Sequence, residues 1–282
     1  MASRETQQAV AAYTTLRIDR RDNGVAEVVL CRAKQLNTMT PTFFEELGRA
    51  FKELDEDETV RVVLLWAEGR VFTAGLDLKA ASLLMPDTSK SRAAISVEFM
   101  KMLKKWQGSM TQIQECKKPV IAAVHSHCIG GGVDLVTACD IRICTEDASF
   151  SIAETKLAIV ADLGTLQRIT RIVGKGVARE MAFTSEPLSA ERSLRHGLVT
   201  RVYKDKEALL EAGRAMAQTI ADLSPLVVQG TKKVLEYAEE HTLAEGLQHV
   251  GLWNAAFLHS EDLVEAMMAF MQKRKPSFKN NL

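Results

Sequence analysis

The character of the chain changes at about Gly164, and that change restricts the folds open to it. Before this point, short runs rich in β-branched residues alternate with longer segments at helical spacing. After it, nearly every segment reads as helix. Strand–helix alternation followed by a helical tail points to an α/β core carrying a helical C-terminal layer.

Residues 13–18 and 25–30 flank Asp22-Asn23-Gly24, and Asn-Gly between two such runs marks a hairpin. The spacing of Phe43, Phe44, Leu47, Ala50, Phe51 and Leu54 predicts a helix over 41–54, with Thr40 as N-cap and Pro41 at the first helical position. Residues 61–66 are continuously apolar, as in a strand buried on both faces. Residues 80–92 read as a mobile loop, 99–116 as a helix and 119–124 as a strand. A helix opened by glycines follows over 130–138, with short strands at 141–144 and 150–152. Later helices are expected at 164–173, 175–184, 189–196, 206–222, 226–240, 243–259 and 261–274, with 199–202 as the one late strand.

Lysine plus arginine and aspartate plus glutamate each total 36, so no global field favours nucleic acid or an anionic membrane. An anionic ligand must therefore be held by local groups. The five cysteines are odd in number and contain no C-x-x-C pair. Cys128, Cys139 and Cys144 sit in apolar runs, and we read them as reduced core residues of a reducing compartment. Zinc-type ligand spacings and paired histidines are missing. No apolar run approaches the length of a transmembrane helix. Residues 1–12 lack an apolar signal core and, with Glu5 next to Arg4, make a weak transit peptide. Asn280-Asn281-Leu282 has the final Leu of a peroxisomal address without the residues that precede it, and reads as a frayed end.

Three features carry chemistry. In Val71-Phe72-Thr73-Ala74-Gly75-Leu76-Asp77-Leu78, at the end of a buried strand, Gly75 permits positive φ or close backbone approach; taken alone, a turn with a helix N-cap at Asp77 is the plainer reading. Ile129-Gly130-Gly131-Gly132-Val133-Asp134 also follows a strand and starts a helix, where unpaired N–H groups suit an oxyanion. It lacks the Lys-Ser/Thr ending of a phosphate loop, and tight helix–sheet packing is the other explanation. The third feature is Asp134, Glu154 and Asp162 in apolar surroundings, where burial and mutual repulsion raise carboxyl pKa values towards those useful for acid–base work. Asp162 also reads as the cap of the helix from Gly164, Glu154 as a rim residue and Asp134 as a complement to a helix dipole. None of the six histidines lies in a nucleophile motif, and the basic stretch 273–279 reads as solvated charge.

As a set, these motifs resemble the crotonase (enoyl-CoA hydratase/isomerase) superfamily. Phe72-Thr73-Ala74-Gly75-Leu76-Asp77-Leu78 is similar to its F-x-A/S-G-x-D-L/I segment, and 118–124 to its K-P-V-I-A-A strand. Gly130-Gly131-Gly132-Val133-Asp134-Leu135 with Ala138-Cys139-Asp140-Ile141-Arg142 resembles its G-G-G-x-E/D-L…A-C-D-I-R signature, and Asn37 matches the early Asn-containing loop. The resemblance covers about 14–275. It is strongest to the Δ3,5-Δ2,4-dienoyl-CoA isomerase subfamily, which carries Asp, Glu and Asp where Asp134, Glu154 and Asp162 stand, at intervals of 20 and 28 residues from the first. Val160–Arg168 and Trp253-Asn254 look like that subfamily too. Typical hydratases have Glu and Gly in place of Asp134 and Asp162.

The resemblance implies an α/β fold with a spiral core of strand–strand–helix turns over 1–205 holding the catalytic site, and a helical trimerisation region over 206–282. Trimers of this kind often pair into hexamers. It implies an oxyanion hole from the backbone N–H groups of Leu76 and Gly131, catalysis by Asp134, Glu154 and Asp162, and contacts to coenzyme A or acyl chain from Arg32, Gln35, Leu36, Ala74, Gly75, Asp77 and Lys79. The implied reaction is isomerisation of a 3,5-dienoyl-CoA to a 2,4-dienoyl-CoA in fatty-acid β-oxidation. It needs no metal and no cofactor beyond the coenzyme A of the substrate, and belongs to a mitochondrial or peroxisome-like organelle, with cytosol also open. Neither nucleic acid nor a membrane is an expected partner. A 2-enoyl-CoA hydratase, with Asp134 and Glu154 holding a water, is the alternative, and an RNA-binding member of the same fold is a third reading that zero net charge disfavours.

Overall fold

The computed structural model describes residues 12–77, 87 and 89–279. Strands β1 (Leu16–Arg20) and β2 (Val25–Leu30) form the expected antiparallel hairpin, closed by Gly24 at φ +81° with Asn23 Oδ1 accepting the Val25 N–H. Helix α1 (Pro41–Glu56) starts where predicted, the Thr40 hydroxyl accepting the Phe43 N–H, and buries Phe43, Phe44, Leu47, Ala50, Phe51 and Leu54 on one face. Strand β3 (Val62–Ala67) pairs in parallel with β2.

Helix α2 (Arg92–Glu115) begins about two turns before the expected position. Ser91 caps it, but its opening turns are solvent-exposed and offer no apolar period to read. Then come β4 (Val120–Val124), β5 (His127–Ile129), α3 (Gly131–Thr137), β6 (Ile141–Thr145) and β7 (Ser149–Ser151). A 3₁₀ turn over Glu154–Leu157 leads to α4 (Thr165–Ile172) and α5 (Gly174–Thr184). The two-residue β8 (Leu188–Ser189), too short to show in the sequence, precedes α6 (Ala190–Arg195) and β9 (Arg201–Tyr203). Among the described residues, four further helices follow: α7 (Lys206–Ala221), α8 (Pro225–Glu240), α9 (Leu243–Phe257) and α10 (Glu261–Met271).

Among the described residues, the strands make a six-stranded sheet in the order β1-β2-β3-β4-β6-β9, parallel from β2 onward, and a small sheet β5-β7-β8. Alternation along β3 sends Val63, Leu65 and Ala67 into the main core with α1, and Val62 and Leu64 into a second core under α7. Gly213 lets α7 approach closely, because a Cβ there would lie 3.2 Å from Leu64. Helices α8–α10 instead carry many exposed apolar side chains, including Leu243, Leu247, Val264, Met267, Phe270 and Met271.

Candidate active site

The two glycine-bearing segments meet. Segment 72–77 is laced between β5 and the loop before α1: the Thr73 N–H donates to His127 O at 3.0 Å, the Ile129 N–H to Thr73 O at 3.2 Å, and the Met39 N–H to Gly75 O at 2.8 Å. Gly75 sits at φ +83°, and a Cβ there would lie 2.8 Å from the Ile129 carbonyl oxygen. Gly131 and Gly132 seat the start of α3 against Met39, Thr73 and Cys128: a Cβ on Gly132 would collide with Thr73 Cγ2, and one on Gly131 would lie 2.9 Å from Met39 Sδ. Thr73 Oγ donates to Asn37 O at 2.7 Å, and Asn37 Nδ2 donates to Glu68 O at 2.8 Å and Val71 O at 3.1 Å. The Asn37 of the sequence motif is therefore a brace for segment 68–73. The N–H of Gly131 belongs to the first turn of α3, where no intrahelical acceptor exists, and Leu76 forms a parallel bridge with Met39, whose Sδ would lie 2.9 Å from a Cβ on Gly131.

Asp134 and Glu154 adjoin the second glycine segment, and Asp162 is near enough for its charge to act on both. Asp134, in the first turn of α3, is 1% exposed, and its Oδ1 accepts the Thr165 N–H at 2.6 Å. Burial pushes it up to about 6, against the Thr165 hydrogen bond and the Arg168 charge. Glu154 opens the 3₁₀ turn; its Oε1 would lie 3.3 Å from a Cβ on Gly130, and its Oε2 is buried without a hydrogen-bond partner. Burial first, and the Asp134 charge second, push it up to about 7. Burial also raises Asp162, whose carbonyl oxygen accepts from Gln107 Nε2 at 2.7 Å. Asp162 does not cap α4: Gly164 is the N-cap of that helix, and its Thr165 N–H is taken by Asp134.

Asp162 and Arg168 line a cavity of about 1710 Å³ between the core and α8–α10, walled on the far side by Trp253, Asn254 and Phe257. A smaller cleft of about 350 Å³ is lined by Leu36, Ala74, Val71, Arg70, His127 and Ile129. Of the other residues singled out, Arg32 donates to Thr38 O and lies 3.3 Å from Asp77 Oδ2, which also accepts from Thr38 Oγ at 3.0 Å. Gln35 is exposed at the end of the 3₁₀ turn Ala33–Gln35, and Lys79 lies outside the described residues. Sequence reading missed Met39, Thr165 and Arg168, whose places depend on contacts between distant segments. The arrangement sets carboxyl groups that titrate near neutrality beside backbone donors, a combination suited to moving protons next to a polarised oxygen.

A family model described as enoyl-CoA hydratase/isomerase matches residues 20–281. The chain is 50% identical over 275 residues to a Dictyostelium discoideum protein named Delta(3,5)-Delta(2,4)-dienoyl-CoA isomerase, mitochondrial, covering 97% of this chain and 94% of that one. It is 44% identical to an Arabidopsis thaliana protein named Delta(3,5)-Delta(2,4)-dienoyl-CoA isomerase, peroxisomal, over 95% of this chain and 98% of the relative. The crystal structure of an enoyl-CoA hydratase from Bacillus anthracis superposes with a TM-score of 0.87 at 30% identity, covering 95% of this chain and all of that one. The chain belongs to the enoyl-CoA hydratase/isomerase family and has the crotonase fold.

Proposed function

We propose that this protein is a Δ3,5-Δ2,4-dienoyl-CoA isomerase of fatty-acid β-oxidation. The observation that carries the reading is the trio Asp134, Glu154 and Asp162, all raised in pKa by burial, with Asp134 in the glycine-opened first turn of α3 and Glu154 Oε1 beside Gly130. Relatives that cover nearly the whole chain bear that name, and their names place them in mitochondria or peroxisomes, the compartments we propose here.

In this mechanism the thioester oxygen of a 3,5-dienoyl-CoA accepts from the N–H groups of Leu76 and Gly131. Each such donor is worth roughly 2.7–4 kcal/mol of barrier. Glu154, held at about 7, removes a proton from C2, which the carbonyl acidifies. The electron pair delocalises over C2, C4 and C6 and onto the thioester oxygen. Asp162 delivers a proton to C6, leaving double bonds at C2 and C4. An acyl chain filling the cavity beside Asp162 displaces water and raises that carboxyl further. Asp134, whose charge acts on Glu154, helps to hold the protonation states of the trio apart. Arg32, Gln35, Leu36, Ala74, Gly75, Asp77 and Lys79 hold coenzyme A or the start of the acyl chain. Because only protons move, the residues call for no metal or separate cofactor. The exposed apolar residues of α8–α10 serve a homotrimer that can pair into a hexamer.

The test is ultraviolet spectroscopy of the purified protein with 3,5-octadienoyl-CoA, beside Asp162→Asn and a crotonyl-CoA control. Rapid formation of the conjugated 2,4-dienoyl product, largely lost in Asp162→Asn, is expected. Efficient hydration of crotonyl-CoA with the dienoyl substrate untouched and no effect of Asp162→Asn would replace this reading with a hydratase.

A further inference from the structure

The exposed apolar side chains of α8–α10 fall into two sets. Leu243, Leu247, Phe270 and Met271 take no part in lining the cavity beside Asp162, whereas Val227, Leu235, Phe257 and Leu263 line it. The cations around this cavity already have partners. Lys232 Nζ lies 2.8 Å from Asp140 Oδ2, and Arg171 Nη1 lies 3.2 Å from Glu239 Oε2. Arg168 donates to Gln114 Oε1 at 2.9 Å and Thr111 Oγ at 3.3 Å, both on α2, and Arg142 donates to the Leu198 carbonyl at 2.7 Å. Aliphatic and aromatic surface is left to meet a ligand, and it begins at the acid assigned to C6.

An octadienoyl chain has only C7 and C8 beyond the carbon that Asp162 protonates. Those atoms would leave nearly all of about 1710 Å³ to water against apolar walls. Pockets of about 300–1,000 Å³ suffice for drug-sized ligands, so this cavity has room for a much longer tail. Its far wall depends on a glycine. Trp253 of α9 is seated on the bare backbone of Gly230 in α8, where a Cβ would lie 2.6 Å from Cε2, Cζ2 and Nε1 of the indole. Glycine inside a helix costs stability relative to alanine, and here it provides the seat. Phe257, one turn further along α9, stacks at a tilt with its ring centroid 4.7 Å from that of Trp253. The depth of the cavity is thus tied to how closely Trp253 approaches α8.

We propose that the cavity takes the tails of 3,5-dienoyl-CoA substrates much longer than octadienoyl, and that Trp253, seated on Gly230, is the wall that sets the longest tail accommodated. The substrate class rests on the isomerase reading; the length preference rests on the cavity. A methyl group at position 230 occupies the seat and drives the indole towards the cavity. A smaller side chain at position 253 opens the wall.

The experiment uses the full-length wild type, Gly230→Ala and Trp253→Leu. Calorimetry gives Kd for octanoyl-, dodecanoyl- and hexadecanoyl-CoA below their micellar concentrations. Ultraviolet assays give kcat/KM for the 3,5-dienoyl-CoAs of the same three lengths. In the wild type, affinity should rise by roughly threefold to fourfold per methylene from octanoyl to dodecanoyl, the worth of burying each CH₂. The ratio of hexadecanoyl to octanoyl affinity should fall in Gly230→Ala and rise in Trp253→Leu, by at least about threefold each way. Equal affinities for the three chains overturn the proposal, and are what a second copy of the chain filling the cavity would give. A ratio that stays at the wild-type value in both variants removes Trp253 as the wall and overturns it too. If Gly230→Ala does not fold, Trp253→Leu decides alone. Failure to convert any dienoyl-CoA, with the rise in affinity intact, sinks the isomerase reading and keeps the tail pocket; conversion of all three with no dependence on length does the reverse.

Discussion

Asp134 Oδ1 accepts the Thr165 N–H at 2.6 Å, so a carboxylate in the first turn of α3 ends the first turn of α4. This contact gives Asp134 a structural job that is separable from its charge. Asn offers an acceptor oxygen at the same place, whereas Ala leaves a buried N–H unmet. Asp134→Ala should therefore be less stable than Asp134→Asn by about 1–3 kcal/mol in urea unfolding. Equal stabilities would show that the hydrogen bond contributes nothing beyond its electrostatics.

The raised acids also make stability depend on pH. Asp134 goes from an ordinary value of 3.8 to about 6, and Glu154 from 4.5 to about 7. Between those limits the folded chain binds more protons than the unfolded chain, so these groups favour folding at the acid end of the window. Their contribution falls as pH rises from about 4 towards 7, by at most roughly 1.4 kcal/mol per pH unit for each group. Glu154→Gln should flatten the Glu154 part of this slope in urea midpoints taken across that range. A slope unchanged by the substitution would remove Glu154 as its source.

Glu154→Gln should separate stability from chemistry. Glu154 Oε2 has no hydrogen-bond partner to lose, so folding should be preserved or improved. If Glu154 takes the C2 proton, kcat on the dienoyl substrate should fall by about a hundred- to ten-thousand-fold with KM little changed. A kcat within a few-fold of the wild type excludes Glu154 as the base.

Two glycine substitutions should differ in kind. Gly75→Ala meets both a left-handed backbone and a carbonyl oxygen 2.8 Å away, neither of which yields easily; roughly 1–3 kcal/mol of stability should be lost. Gly131→Ala meets only the flexible end of Met39, at 2.9 Å. Its stability loss should be smaller, with the damage concentrated in kcat. Thermal unfolding and steady-state kinetics on both variants check the contrast, which fails if Gly131→Ala is the less stable of the two.

Local signals in the sequence located the parts of this fold governed by near neighbours. Asn23-Gly24 announced the hairpin, Thr40-Pro41 the start of α1, and the glycines at 75 and 130–132 the two segments that meet at the site. The early turns of α2 escaped because exposed residues need no apolar spacing, and β8 because two residues cannot display a period. The three acids stand out in the sequence by their apolar surroundings, resemblance gives them their roles, and burial raises the pKa of each. The cap of α4, for which Asp162 was only the alternative reading, comes from Asp134, which reaches the Thr165 N–H from 31 positions away in the chain. Arg168 was legible only as part of a family-like stretch, since its tethers at Thr111 and Gln114 lie on another helix.

The socket between Met39, Gly75, Ile129 and Gly131 is made of main chain. In the mechanism proposed above the donor at Leu76 is its N–H, which a change of side chain leaves in place and only a change of backbone conformation can remove. The acids have no such protection, because each is a side chain carried on 154–162 or the first turn of α3, outside the six-stranded sheet. Substitutions there can exchange one proton-handling chemistry for another without disturbing the scaffold. A descendant of this chain could thus change its reaction through a few point mutations around the cavity while inheriting the main-chain socket intact.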